Sequence, residues 1–119
     1  MLGDVAEAGN YTESTHLEIA DIVNDSSFDI VMTCGKELKT ALHNTKMRDD
    51  LRILTFDTQK SMNKKLKKEV KNGDLVLFKS SHSGNLEKSI RETFPLAYLY
   101  QAIIYYTPRV LWHFKVFLH

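Results

Sequence analysis

Phe28-Asp29-Ile30-Val31-Met32-Thr33-Cys34, closed by Gly35, reads as a strand buried on both faces. Its β-branched and apolar residues stand side by side instead of alternating with polar ones, the pattern of a parallel strand covered by helices above and below. On its C-terminal side, Lys36 to Lys46 carries Leu38, Ala41 and Leu42 at helical spacing, and Arg52-Ile53-Leu54-Thr55-Phe56 supplies a second strand. On its N-terminal side, Thr12 to Asn24 reads as a helix with Leu17, Ala20 and Val23 on one stripe beside Ile19 and Ile22. Thr12 is the expected N-cap, and Glu13 complements the helix dipole in the first turn. Further on, Asp57 or Thr58 caps a helix running to about Val70, whose Met62, Leu66 and Val70 face the sheet. Asn72-Gly73-Asp74 then turns into a strand from Leu75 to Phe78. Strands separated by single helices require right-handed βαβ crossovers, so the predicted fold is α/β, a Rossmann-like three-layer domain with a mainly parallel sheet.

The bulk properties bound what such a domain can do. The 119 residues hold one hydrophobic core and not two well-buried ones. With 16 basic and 15 acidic residues, no global field points to nucleic acid or to an anionic membrane. The helix bearing Lys60, Lys64, Lys65, Lys67, Lys68 and Lys71 reads as a solvated outer face, because no aromatic residue interleaves with its lysines. Cys34 is the one cysteine, which excludes an internal disulfide and a CxxC metal pair, and its place at the end of an apolar run suits a buried structural thiol. His43, His113 and His119 share no metal-ligand spacing, so no metal site is expected. The first residues lack a basic segment followed by an apolar one, and the expected compartment is the cytoplasm.

From Pro95 the composition changes. Leu96 to Tyr106 and Val110 to His119 are rich in aliphatic and aromatic residues, and Pro108 and Arg109 separate them. Each piece is shorter than the ~20 apolar residues a spanning helix requires. The expected division is therefore residues 1–93 as the α/β domain and 94–119 as an apolar extension. That extension serves as an added packing element or as an interface for a homo-oligomer or another chain, since exposed apolar surface promotes association.

Ligands of an open α/β sheet collect at the carboxyl ends of its strands. Asp4 ends the first strand, and Lys79, Ser81, His82 and Ser83 follow the last. Lys79 offers a point charge for phosphate or carboxylate, the serines offer hydroxyl donors and acceptors, and His82 titrates near neutral pH when unperturbed. By its residues alone, a Lys-Ser-Ser-His loop before a helix is more often a solvated turn with a serine N-cap than a site, and Asp4 after Gly3 could equally cap a turn. His16 could support the site, but it reads more readily as a satisfied core or surface histidine.

Three segments carry a family resemblance. Met1-Leu2-Gly3-Asp4-Val5-Ala6-Glu7-Ala8-Gly9 is similar to the L-G-D-M-x-E-L-G turn of Mur ligase C-terminal domains, and Gly73 to Ser83 resembles their G-D-x-V-L-x-K-G-S-R-G segment. Glu13-Ser14-Thr15-His16-Leu17-Glu18-Ile19 looks like the E-x-x-H-x-x-I/V helix start of the branch that adds D-alanyl-D-alanine. The likeness covers roughly residues 1 to 93. The chain departs from the pattern at Val5, where methionine is usual, and at Ser80, His82 and Ser83, where glycine, arginine and glycine are more frequent. Losing that arginine removes a bidentate carboxylate fork. The family's first strand also begins several residues before L-G-D, so an abbreviated first strand is expected here.

The resemblance implies a part in peptidoglycan synthesis. In the intact family, ATP and Mg²⁺ convert a carboxylate to an acyl phosphate that an amine then displaces, while the C-terminal domain closes over ATP and helps to place the amine. It implies that Gly3, Asp4 and Glu7 lie on the nucleotide-facing turn and that Lys79, Ser81, His82 and Ser83 lie near an amino-acid or dipeptide substrate. No G-x-x-x-x-G-K-[ST] phosphate loop occurs, and Gly35-Lys36 is followed by Glu37. The expectation is a fragment of an ATP-dependent amide ligase, inactive by itself, whose partners are the remaining ligase domains. The rival reading is a detached, non-enzymatic module used for homo-oligomerisation or docking.

Overall fold

The computed structural model describes residues 1–6, 8–71, 73–79, 86–95 and 115–118. Strand β1 (Leu2–Gly3) leads through a 3-10 turn (Gly9–Tyr11) into helix α1 (Thr12–Asp25). There follow β2 (Ile30–Cys34), α2 (Lys36–Asn44), β3 (Arg52–Phe56), α3 (Gln59–Glu69), β4 (Leu75–Phe78), α4 (Leu86–Thr93) and β5 (Lys115–Leu118). The α/β architecture with a parallel sheet is the one expected.

Strands β1, β2 and β3 pair in parallel, with Leu2 opposite Thr33 and Ile30 opposite Arg52. A parallel bridge between Leu2 and Lys79 brings β4 to the other side of β1. Its two hydrogen bonds run from the Gly3 amide to the Lys79 carbonyl and from the Lys79 amide to the Met1 carbonyl, both 2.9 Å. Strand β5 pairs antiparallel with β4, Leu75 opposite Leu118. Across the sheet the order is thus β3-β2-β1-β4-β5, with β1 in the interior and the chain reversing its direction of growth between β1 and β4.

The parity of each strand sorts its side chains into two cores. Leu2 and Val31 join Ala20, Val23, Leu38 and Leu42 under α1 and α2. Met32 and Phe78 join Met62, Leu66 and Ile90 under α3 and α4. Both faces of the sheet are therefore covered, which is why β2 reads as an unbroken apolar run. Phe78 also meets Phe94 edge to face, their ring centroids 6.3 Å apart.

Local departures from the sequence expectation have physical causes. Thr12 is the first residue of α1, not its cap: the 3-10 turn delivers the chain already helical, and the Thr12 hydroxyl donates to the Gly9 carbonyl at 2.7 Å. Ile22 is 67% exposed, since the buried stripe of α1 passes through His16, Ala20 and Val23. Of the two candidate caps for α3, Thr58 takes the role, its hydroxyl accepting from the Ser61 amide. Among the described residues, no helix is long and apolar enough to cross a membrane.

Candidate functional site

Helix α2 begins directly after Gly35, whose φ of +141° lies where side chains are disfavoured and which has no side chain to cap with. The cap comes from 33 and 34 residues away. Asp4 Oδ2 accepts from the Glu37 amide at 3.2 Å and Oδ1 from the Leu38 amide at 2.9 Å. A carboxylate at this position satisfies two orphan N–H groups and meets the positive end of the helix dipole. It also ties the turn after β1 to the turn after β2.

His16 fixes the other side of that turn. It is 1% exposed, its Nδ1 lies 2.6 Å from the Thr12 carbonyl, and its Nε2 accepts from the Val5 amide at 3.0 Å. These partners select one tautomer: Nδ1 carries the proton and donates to Thr12, leaving Nε2 as the acceptor. The 3.9 Å separation between Nε2 and Asp4 Oδ1 is therefore a contact of a neutral imidazole and not an ion pair. His16 is a satisfied core histidine that holds the backbone next to Asp4.

Cys34, at the end of β2, is half-buried. Desolvation raises its thiol pKa, and the negative charges of Asp4 and Asp57 raise it further, so the thiol is a poor nucleophile. Asp57 follows β3, with its carboxylate 3.8 Å from the Lys39 ammonium in an exposed pair that adds little stability. Lys79 follows β4 and is half-buried, with its backbone pinned to β1 through Met1 and Gly3.

Gly3, Asp4 and Lys79 thus come together at the carboxyl edge, where the strand order reverses between β1 and β4. This is the position at which open α/β sheets form their ligand crevice. Glu7, Ser81, His82 and Ser83 lie outside the described residues. Gly35 and its pairing with Asp4 escaped the sequence reading; the available signal was a helix opening after a glycine with no capping side chain of its own.

The fit to a phosphate group is poor in this chain alone. The amides that open α2 are committed to Asp4, and the carboxylate itself repels an anion. A cleft of about 400 Å³ exists at the opposite edge of the sheet, lined by Met1, Phe28, Ile30, Leu66, Val70 and Leu75 among others. It lies at the amino ends of β2 and β4, away from Asp4 and Lys79, so volume and chemistry point to different edges. The carboxyl edge is the stronger candidate for ligand chemistry, because charged and polar groups converge there.

Comparison with known proteins gives a partial match. Over 93 residues the chain is 29% identical to UDP-N-acetylmuramoyl-tripeptide--D-alanyl-D-alanine ligase of Bacillus subtilis (strain 168), covering 77% of this chain. The matched part spans 20% of the ligase's length. No family model matches the chain. No solved structure matches it either. The likeness supports a relation to the Mur ligases and nothing finer.

Proposed function

We propose that residues 1–93 are the amine-placing C-terminal domain, or a fragment of it, of an ATP-dependent amide ligase of peptidoglycan precursor synthesis. The observation that carries this reading is the convergence of the Leu2-Gly3-Asp4 turn with Lys79 at the β1/β4 reversal, in a chain similar to such a ligase over 93 residues. In this reading the turn at Gly3, Asp4 and Glu7 faces a nucleotide held by other domains. Lys79, with Ser81, His82 and Ser83, faces a D-alanyl-D-alanine-like amine substrate. The lysine would neutralise a substrate carboxylate or developing phosphate charge, and the hydroxyls would orient the amine. ATP and Mg²⁺ supply the activation of the acid in the intact enzyme, and no step through them is assigned to this chain.

The test is a chimera in which the matched segment replaces its counterpart in the Bacillus subtilis ligase. Dipeptide-dependent release of ADP supports the proposal. A folded chimera that binds the UDP-sugar substrate yet releases no ADP with the dipeptide overturns it. The 119-residue chain by itself is expected to show no ligation.

A further inference from the structure

The net charge of +1 conceals a division of charge across the sheet. Residues 1–35 contain neither lysine nor arginine, and α1 turns Glu18, Asp21 and Asp25 to solvent, opposite its buried His16, Ala20 and Val23. Helix α3 covers the other face of the sheet. It turns Lys60, Lys64, Lys67 and Lys68 outward, opposite its buried Met62, Asn63 and Leu66. All seven charged side chains are exposed, and among the described residues none of them has an ion-pair partner. One outer helix thus presents a row of carboxylates and the other a row of ammonium groups.

Neither row serves the helix that bears it. Asp25 stands in the last turn of α1, at the negative end of the helix dipole, and that turn holds no basic residue. Lys60 stands in the first turn of α3, at the positive end, where no acidic residue accompanies it. Lys60, Lys64 and Lys68 follow one another at intervals of four, the spacing at which like charges on a helix repel. What each helix lacks is an opposing row of charge.

The two rows match in spacing. From Asp25 back to Asp21 and Glu18 the steps are four and then three residues, and from Lys60 on to Lys64 and Lys67 they are also four and then three. Each row therefore spans about 10 Å at ~1.5 Å per residue. This match is antiparallel. The parallel one requires Lys71, which lies beyond the end of α3 at Glu69. The antiparallel arrangement also sets the C-terminal end of one helix against the N-terminal end of the other, so that dipoles and side-chain charges agree. Ile22, 67% exposed beside Asp21 and Asp25, offers an apolar centre for the lysine stems.

We propose that the lysine face of α3 docks on the acidic face of α1 in a second copy of this chain, the two helices antiparallel, with Lys60 opposite Asp25, Lys64 opposite Asp21 and Lys67 opposite Glu18. Helices α1 and α3 lie on opposite faces of one sheet, so the rows cannot meet within a molecule. The contact is heterologous: each copy offers a different face on each side, and copies add head to tail. Nucleic acid is the poorer occupant, because no aromatic residue interleaves with these lysines to stack on bases. A second copy is favoured over an unrelated acidic protein because the chain itself carries the matching row. Exposed ion pairs are individually weak and screened by salt, so the association is of low affinity and strongly salt-dependent. The inference does not rest on the ligase reading.

The test is sedimentation equilibrium of the full chain at protein concentrations up to about 1 mM. The average mass should rise with concentration at about 20 mM salt and return to that of one copy at about 0.5 M. Asp21→Lys or Lys64→Glu alone sets like charges opposite each other and should weaken association at least about fivefold. Both changes in one chain restore the pair with its signs exchanged and leave the net charge unaltered, so association should return to within about twofold of the parent. Asp21→Lys with Lys46→Glu has that same net charge but an unchanged α3, and should stay as weak as Asp21→Lys alone. A parent chain that remains a single copy at low salt overturns the proposal, as does association that neither single change weakens. Failure of the Asp21→Lys, Lys64→Glu chain to recover would overturn the pairing, and loss on changing Lys64 but not Asp21 would overturn the second copy as occupant in favour of another anionic partner.

Discussion

Asp4 and Gly35 occupy each other's space: a Cβ on Gly35 would lie 2.3 Å from Asp4 Cγ. The carboxylate reaches the amides of Glu37 and Leu38 only because nothing projects from position 35. Turn, cap and glycine therefore form one device that holds the ends of β1 and β2 together at the carboxyl edge.

Gly35→Ala should destabilise the fold by roughly 2–3 kcal/mol, from the positive φ and from displacement of the carboxylate. Asp4→Ala should cost about 0.5–2 kcal/mol through loss of the cap. The two effects should not add. With Asp4 already shortened the alanine at 35 has room, so the double variant should be more stable than the sum of the single losses predicts. Denaturant unfolding of the four chains measures the coupling, and strict additivity would dissociate the two residues.

His16→Leu removes an acceptor from the Val5 amide and a donor from the Thr12 carbonyl while keeping apolar bulk. Both backbone groups are part-buried, and the expected loss is about 1–3 kcal/mol. His16→Gln, which can still accept and donate, should lose less. A leucine variant as stable as the parent would show that water satisfies both groups.

Which features the sequence revealed depended on the range of the interaction. Leu38, Ala41 and Leu42 sit at local helical spacing, and all three are buried as that spacing requires. The limits of β3 and β4 also matched, because short apolar runs stand between turn residues there. Asp4 as the cap of α2 was not legible, since the partners are 33 and 34 positions apart and no local periodicity joins them. The position of β4 beside β1 and the cleft below Met1 are equally non-local, set by crossover topology and register. The outer exposure of Ile22 was missed because apolar residues surround the buried stripe of α1, and only packing selects which of them go inside.

Acid should weaken the contact between β3 and α3. Glu69 accepts from Lys65 at 2.6 Å and from Arg52 at 3.2 Å, and these hydrogen bonds, Lys65 first, lower its pKa from 4.5 to about 2. A carboxyl group with a lowered folded-state pKa contributes stability above its unfolded value, and that contribution is lost as pH falls through the folded value. The loss attributable to Glu69 therefore belongs to the window from about pH 4.5 to about pH 2. Glu69→Gln should flatten the stability profile in that window and leave its slope at neutral pH unchanged. An unaltered acid limb would assign the contribution to other carboxylates.

The last prediction separates amine placement from domain closure in the ligase chimera. Lys79 stands on a backbone pinned to β1 at the order reversal, whereas Gly3 and Asp4 form the turn beside it. If Lys79 neutralises the dipeptide carboxylate, Lys79→Met should raise KM for the dipeptide about tenfold or more with little change for ATP. Ser81→Ala and His82→Ala should act in the same direction, by smaller factors where a neutral hydrogen bond is removed. Asp4→Asn keeps the shape of the cap but weakens it, so its effect should fall on kcat, or on both substrates together, as expected of a turn that must be in place for closure. Equal losses for ATP and dipeptide in the Lys79, Ser81 and His82 variants would move those residues from substrate placement to closure. Unchanged kinetics in all three would leave the loop after β4 as a solvated turn.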